Sequence, residues 1–193
     1  MMRIQQNSKF SLFLFIASAL FIASCEKNPH SDNEEELITT VLYELTPRDG
    51  GPKVMLSFSD PDGDGGIQPN ISTIGNLTSG KEYDGVLKLL NESVIPSENI
   101  GDEIEAESKD HQFFFKYTPV NGGNLQFTYN DKDADNLPLG LRTVILANAK
   151  GNGKLTITLR HLPDKKASGV SAGNIANAGG ETDIEVTFDV IIE

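Results

Sequence analysis

The chain of 193 residues has no tryptophan, a single cysteine and a shortage of positive charge. Lysine and arginine together number 16 against 28 acidic residues, a formal net charge of -12. A polyanion binder gains affinity by releasing counterions to basic side chains, so this balance excludes a nucleic-acid partner. A lone Cys25 excludes any intramolecular disulfide. Helical periodicity is scarce as well. The 38% hydrophobic content is still enough for a packed core, and the length fits one domain better than two.

What is present begins with an address. Arg3 and Lys9 precede an apolar run from Phe10 to Phe21 that is broken only by serine and alanine, as in a secretory signal peptide. The run ends in Ile22-Ala23-Ser24-Cys25, which resembles the bacterial lipobox. The expected organisation is a signal peptide over residues 1–24, an acylated Cys25 with a polar tether over 25–36, and one domain over 37–193. Removing Arg3 and Lys9 takes the charge from -12 to -14. Acyl chains contribute about 0.8 kcal/mol per buried methylene, so several of them anchor firmly. Glu26, where an aspartate would resemble the inner-membrane retention signal of enteric bacteria, makes outer-membrane lipid the expected partner of Cys25. Whether the domain faces the periplasm or the exterior stays open.

Beyond the tether, period-two alternation dominates. Val54, Leu56 and Phe58 form one set, Leu125, Phe127 and Tyr129 another, and Leu155, Ile157 and Leu159 a third. Ile184, Val186, Phe188, Val190 and Ile192 form the longest, with Glu185, Thr187 and Asp189 on the opposite face. Segments 37–45, 83–90, 112–117 and 143–147 bring the expected total to about eight strands. Asp49-Gly50-Gly51, Asn121-Gly122-Gly123 and Gly151-Asn152-Gly153 read as turns between them. The stretch 97–110, with Ile100 and Ile104 as its chief apolar anchors and Ser97 as a candidate N-cap, reads as a single short helix or an acidic loop, so at most one short helix is expected. The segment 167–180 reads as a connection too polar to pack. The expected fold is all-β, an antiparallel immunoglobulin-like sandwich, with a small β-barrel as the alternative.

Four stretches carry a specific likeness: Ser57-Phe58-Ser59-Asp60-Pro61-Asp62-Gly63-Asp64-Gly65-Gly66, His111-Gln112-Phe113-Phe114-Phe115, Arg160-His161-Leu162-Pro163-Asp164-Lys165, and Gly179-Gly180-Glu181-Thr182-Asp183-Ile184-Glu185-Val186. With these the chain resembles a family of small Bacteroidetes outer-membrane lipoproteins, often encoded beside TonB-dependent receptors. The resemblance implies such a receptor as partner and implies no activity. Some members carry the label of a type 1 periplasmic binding fold. That fold needs two α/β lobes with repeated crossover helices, which this strand pattern does not supply.

Two constellations could bind cations. Asp60, Asp62 and Asp64, spaced by proline and glycine, can converge oxygens on a hard ion such as calcium. Ile71 stands where an EF-hand has its bidentate glutamate, so an EF-hand is excluded. A solvated Asp/Gly turn is an equal reading of this loop. Asp131, Asp133 and Asp135 repeat the spacing without the glycine. His111 opens one strand on the parity of Phe113 and Phe115, and His161 closes another on the parity of Leu155, Ile157 and Leu159. Both histidines therefore sit at strand ends near the core layer, with Glu107, Asp110 and Asp164 close in sequence. Two imidazoles and a carboxylate suit Zn²⁺ or Cu²⁺ if they meet in space; otherwise they are hydrogen-bonded packing residues.

Motifs for catalysis are missing: there is no nucleophile elbow, no HExxH and no phosphate-cradling glycine loop before a helix. The acidic run Asp102, Glu103, Glu105, Glu107 and Asp110 reads as a solvated face. The expected function is non-enzymatic: a membrane-anchored ligand-binding or accessory module, and, as the resemblance implies, a helper of TonB-dependent uptake. The alternative is a calcium-stabilised structural or adhesive domain with no ligand of its own.

Overall fold

The computed structural model describes residues 36–193 except Asp64, and these form one body. The expected signal peptide, Cys25 and most of the tether lie outside the described residues. The elements are β1 (Thr40–Pro47), β2 (Val54–Ser59), β3 (Asn70–Ile74), β4 (Glu82–Asn91), β5 (Glu98–Asn99), α1 (Ile100–Ala106), β6 (His111–Tyr129), β7 (Arg142–His161) and β8 (Glu181–Ile192). Two single-turn 3-10 segments, Val170–Ala172 and Ile175–Asn177, lie between β7 and β8.

All strands belong to one antiparallel sheet in the order β3-β2-β1-β4-β7-β6, with β8 paired to β7 and β5 to β4. The sheet curls until its ends nearly meet. Leu77, just past β3, bridges Ile192 at the end of β8, with Leu77 N–H donating to the Ile191 carbonyl at 2.9 Å. The all-β antiparallel expectation holds, in the form of a nearly closed barrel. Alternation decides which face is inside: Val41, Tyr43 and Leu45 of β1, Tyr83, Leu87 and Leu89 of β4, and Val186, Phe188, Val190 and Ile192 of β8 all point inward. Buried phenols find partners, as they must in a dry core. The Tyr43 hydroxyl bonds Thr143 Oγ1 at 2.6 Å, and the Tyr83 hydroxyl accepts from Thr78 N–H at 2.8 Å.

Three expectations need correction. Gly122 and Gly151 do not sit in turns; they face each other as cross-strand partners inside β6 and β7. Register shifts between Pro119 and Asn121 and between Asn124 and Leu125 bend the two strands there, so each long strand serves two parts of the barrel. The missing side chains matter, because a Cβ on Gly151 would strike the backbone of Gly122 and Gly123. The 167–180 segment does pack: Val170 and Ala178 are fully buried and cover Phe114, which projects from the outer face of β6. Finally, the one short helix is entered through Asn99 without a side-chain cap rather than through Ser97, while Ile100 and Ile104 are its buried anchors as expected.

A candidate metal centre at the mouth of the barrel

Helix α1 packs on β4 and is followed by Glu107, whose N–H closes the last turn on the Glu103 carbonyl at 2.9 Å. A turn closed by Asp110 N–H on the Glu107 carbonyl delivers the chain into β6 at His111. His111 and His161 are direct cross-strand partners, the first residue of β6 against the last of β7. Their rings stack with centroids 4.8 Å apart and planes 9° from parallel. The His111 side chain is wholly buried and that of His161 is 10% exposed.

The tautomer of His111 follows from its neighbour. Nδ1 lies 3.2 Å from the Glu107 carbonyl oxygen, which can only accept, so Nδ1 carries the proton and Nε2 the lone pair. Burial pushes the His111 pKa down, and the adjacent His161 adds to this, so the ring is neutral near pH 7. Nε2 is buried and makes no hydrogen bond.

Asp183 completes the group. Its carboxylate is fully buried, with Oδ2 at 3.7 Å from His111 Nε2 and Oδ1 at 3.9 Å from His161 Nδ1. By simple alternation Asp183 belongs with Glu185 and Thr187 on the wet face of β8. A bulge reverses it: Leu159 pairs with Ile184 but Arg160 pairs with Thr182, leaving Asp183 as the extra residue, turned inward.

More carboxylates gather on the same spot. Glu36, counted with the tether on sequence grounds, is half-buried and lies beside Glu103. Burial, then the charges of Glu103, Glu107 and Asp183, raise its pKa to about 7. One donor atom each from His111, His161 and Asp183 fall within 4.8 Å of one another, and so do those of Glu36, Glu107 and His111. His111 belongs to both groups. Part of the expected solvated acidic face is therefore turned to this cluster, while Glu105 reaches outward to Arg142 at 2.9 Å.

The aspartate loops differ. Asp62 Oδ2 accepts the N–H of Ile67 at 3.2 Å and so shapes its own turn, and Asp60 is half-buried at the end of β2. Asp64 lies outside the described residues. In the second aspartate motif, Asp131 accepts the N–H groups of Gly140 and Arg142, both at 2.7 Å. Asp133 accepts those of Asp135 and Leu137 and pairs with Lys165 at 3.0 Å. Asp135 faces outward to Lys109 at 3.2 Å. These three carboxylates organise a loop and do not converge on one point.

Comparison with protein-family models, with curated proteins and with solved structures gave no match. Sequence reasoning found His111 and His161 and noted Glu107. It missed Asp183, hidden by the bulge, and Glu36, hidden in a polar run. The Gly179-Gly180 pair just before Asp183 was the only trace of an irregular strand start.

Proposed function

We propose that the protein is a lipid-anchored, non-enzymatic binding module of the outer membrane, and that its ligand is a cation taken up by the cluster around His111. One observation supports this most: buried His111 is shared by two groups of close donors, one with His161 and Asp183 from β7 and β8 and one with Glu36 before β1 and Glu107 just after α1. Imidazole and carboxylate donors held close together and largely out of water are the kind of lining that a cation site uses. The lipobox at Cys25 supports the anchor, and the family resemblance supports service to a TonB-dependent receptor, either by presenting the cation or by docking to the receptor.

The test is elemental analysis of the protein isolated from its native envelope without chelator. Near-stoichiometric cation is expected. Protein that is fully folded yet carries no cation, and takes none up on dialysis, overturns the reading. Co-purification of a TonB-dependent receptor with the tagged full chain tests the accessory role separately.

A further inference from the structure

The donor set narrows the ligand. This step rests on the reading of the cluster as a cation site. We infer that the ion is a transition metal of the Zn²⁺ class, bound by His111 Nε2, His161 Nδ1 and the Asp183 carboxylate, with Glu36 as the fourth ligand.

Calcium and magnesium select oxygen donors, whereas neutral imidazole favours zinc, copper and nickel. Two buried imidazoles at the centre of the cluster therefore argue against a hard cation. The spacing argues against the ordinary alternative, a pair of histidines hydrogen-bonded to a buried aspartate. Such charge-assisted bonds close to about 2.7–2.9 Å. Here the nitrogen–oxygen gaps are 3.7 and 3.9 Å, too long for a hydrogen bond. They are close to the separation of about 3.4 Å between two ligands on a tetrahedral ion with bonds of about 2.1 Å. The gaps have the width that an ion between the donors requires.

Orientation agrees. A metal-bound histidine commonly donates its other N–H to a carbonyl or carboxylate, which fixes the tautomer and aims the lone pair. Glu107 accepts that bond from His111, leaving the buried Nε2 as a donor atom directed at Asp183 without a hydrogen bond. A carboxylate oxygen of Glu36 lies within 4.8 Å of a ring nitrogen of the same histidine. One adjustment accompanies binding. A metal lies in the plane of each imidazole it binds, so rings only 9° from parallel must tilt apart, a motion about the broad χ2 torsion.

Coordination by Glu36 has a structural consequence. Glu36 stands four residues before β1, and Asp183 lies in β8, the last strand, so the ion joins the entry of the domain to its final strand. Ile38 and Thr39 are already buried, and loading ties Glu36 beside them more firmly to the barrel mouth.

The full chain in detergent, stripped with chelator, is titrated with Zn²⁺ alone and with Ca²⁺ alone. One Zn²⁺ is expected to bind with Kd below about 1 μM, unaffected by excess Ca²⁺. Co²⁺ in its place gives the intense visible absorption of a four-coordinate site. His161→Ala and Asp183→Asn each lower Zn²⁺ affinity by at least about 100-fold, and Glu36→Gln by about 10–100-fold. In the unaltered protein, which avoids any folding defect of the variants, Zn²⁺ shifts the imidazole nitrogen signals of both histidines and slows amide exchange at residues 36–39. Stoichiometric Ca²⁺ with no Zn²⁺ uptake overturns this inference and leaves the cation-site reading standing; no uptake of any ion overturns both. Zn²⁺ binding that survives His161→Ala and Asp183→Asn places the metal elsewhere and also overturns it.

Discussion

Lys165→Met is the most informative single perturbation of the scaffold. The Lys165 and Asp133 side chains are 3% and 1% exposed, and the ammonium donates to Asp133 Oδ2 at 3.0 Å and to the Ser108 carbonyl. Ser108 follows Glu107, and Lys165 lies four residues after His161, so this bond ties the arms that carry both histidines. Removing one partner of a buried ion pair costs about 3–5 kcal/mol, chiefly because the other charge stays buried. Asp133 Oδ1 keeps the N–H groups of Asp135 and Leu137, at 2.8 and 2.9 Å, which places the expected loss near about 3 kcal/mol. In a domain of this size that is a fall of about 6–12 °C in Tm. Lys165→Met combined with Asp133→Asn removes the stranded charge and should recover about 1–2 kcal/mol of it. Urea unfolding followed by circular dichroism measures each value. A loss under about 1 kcal/mol, or a double variant no more stable than the single, would refute the argument.

Three further outcomes are expected. Burial alone would raise the Asp133 pKa, but hydrogen bonds from Lys165 and from backbone N–H groups outweigh it and hold the value below its ordinary 3.8. Its contribution to stability is therefore present above pH 3.8 and lost only as pH falls through the depressed value. Lys165→Met should accordingly move the acid-unfolding midpoint to higher pH, and an unmoved midpoint counts against the pairing. Gly180 has φ of +67°, and a Cβ there would strike the His161 carbonyl, so Gly180→Ala should weaken Zn²⁺ binding by displacing His161 while leaving the far end of the barrel folded. Isotope-labelled palmitate should enter the wild-type protein and not Cys25→Ala, which should appear in the soluble fraction; equal labelling of the two rejects the lipid anchor.

Much of this was legible in the chain because a barrel with one buried face writes its pattern in steps of two. The inward sets of β1, β4, β7 and β8 follow that rule, and it placed His111 and His161 at the core layer. The rule failed where the backbone is irregular. Asp183 shares the parity of exposed Glu185 and Thr187, and only the bulge beside Arg160 turns it inward. Gly122 and Gly151 looked like turn residues but relieve the close approach of two bent strands. Glu36 stood in a run of polar residues with nothing local to mark it, since its partners Glu103, Glu107 and Asp183 are distant in sequence. Val170 and Ala178 in the polar segment are small, yet they cover Phe114 fully. Long-range register, which no local window contains, decided each of these cases.

X-ray absorption at the zinc edge of the loaded full-length protein tests the central claim most directly. The expected result is four light-atom ligands at about 2.0–2.1 Å with the multiple-scattering signature of two imidazoles. A first shell without imidazole scattering would contradict the assignment to His111 and His161.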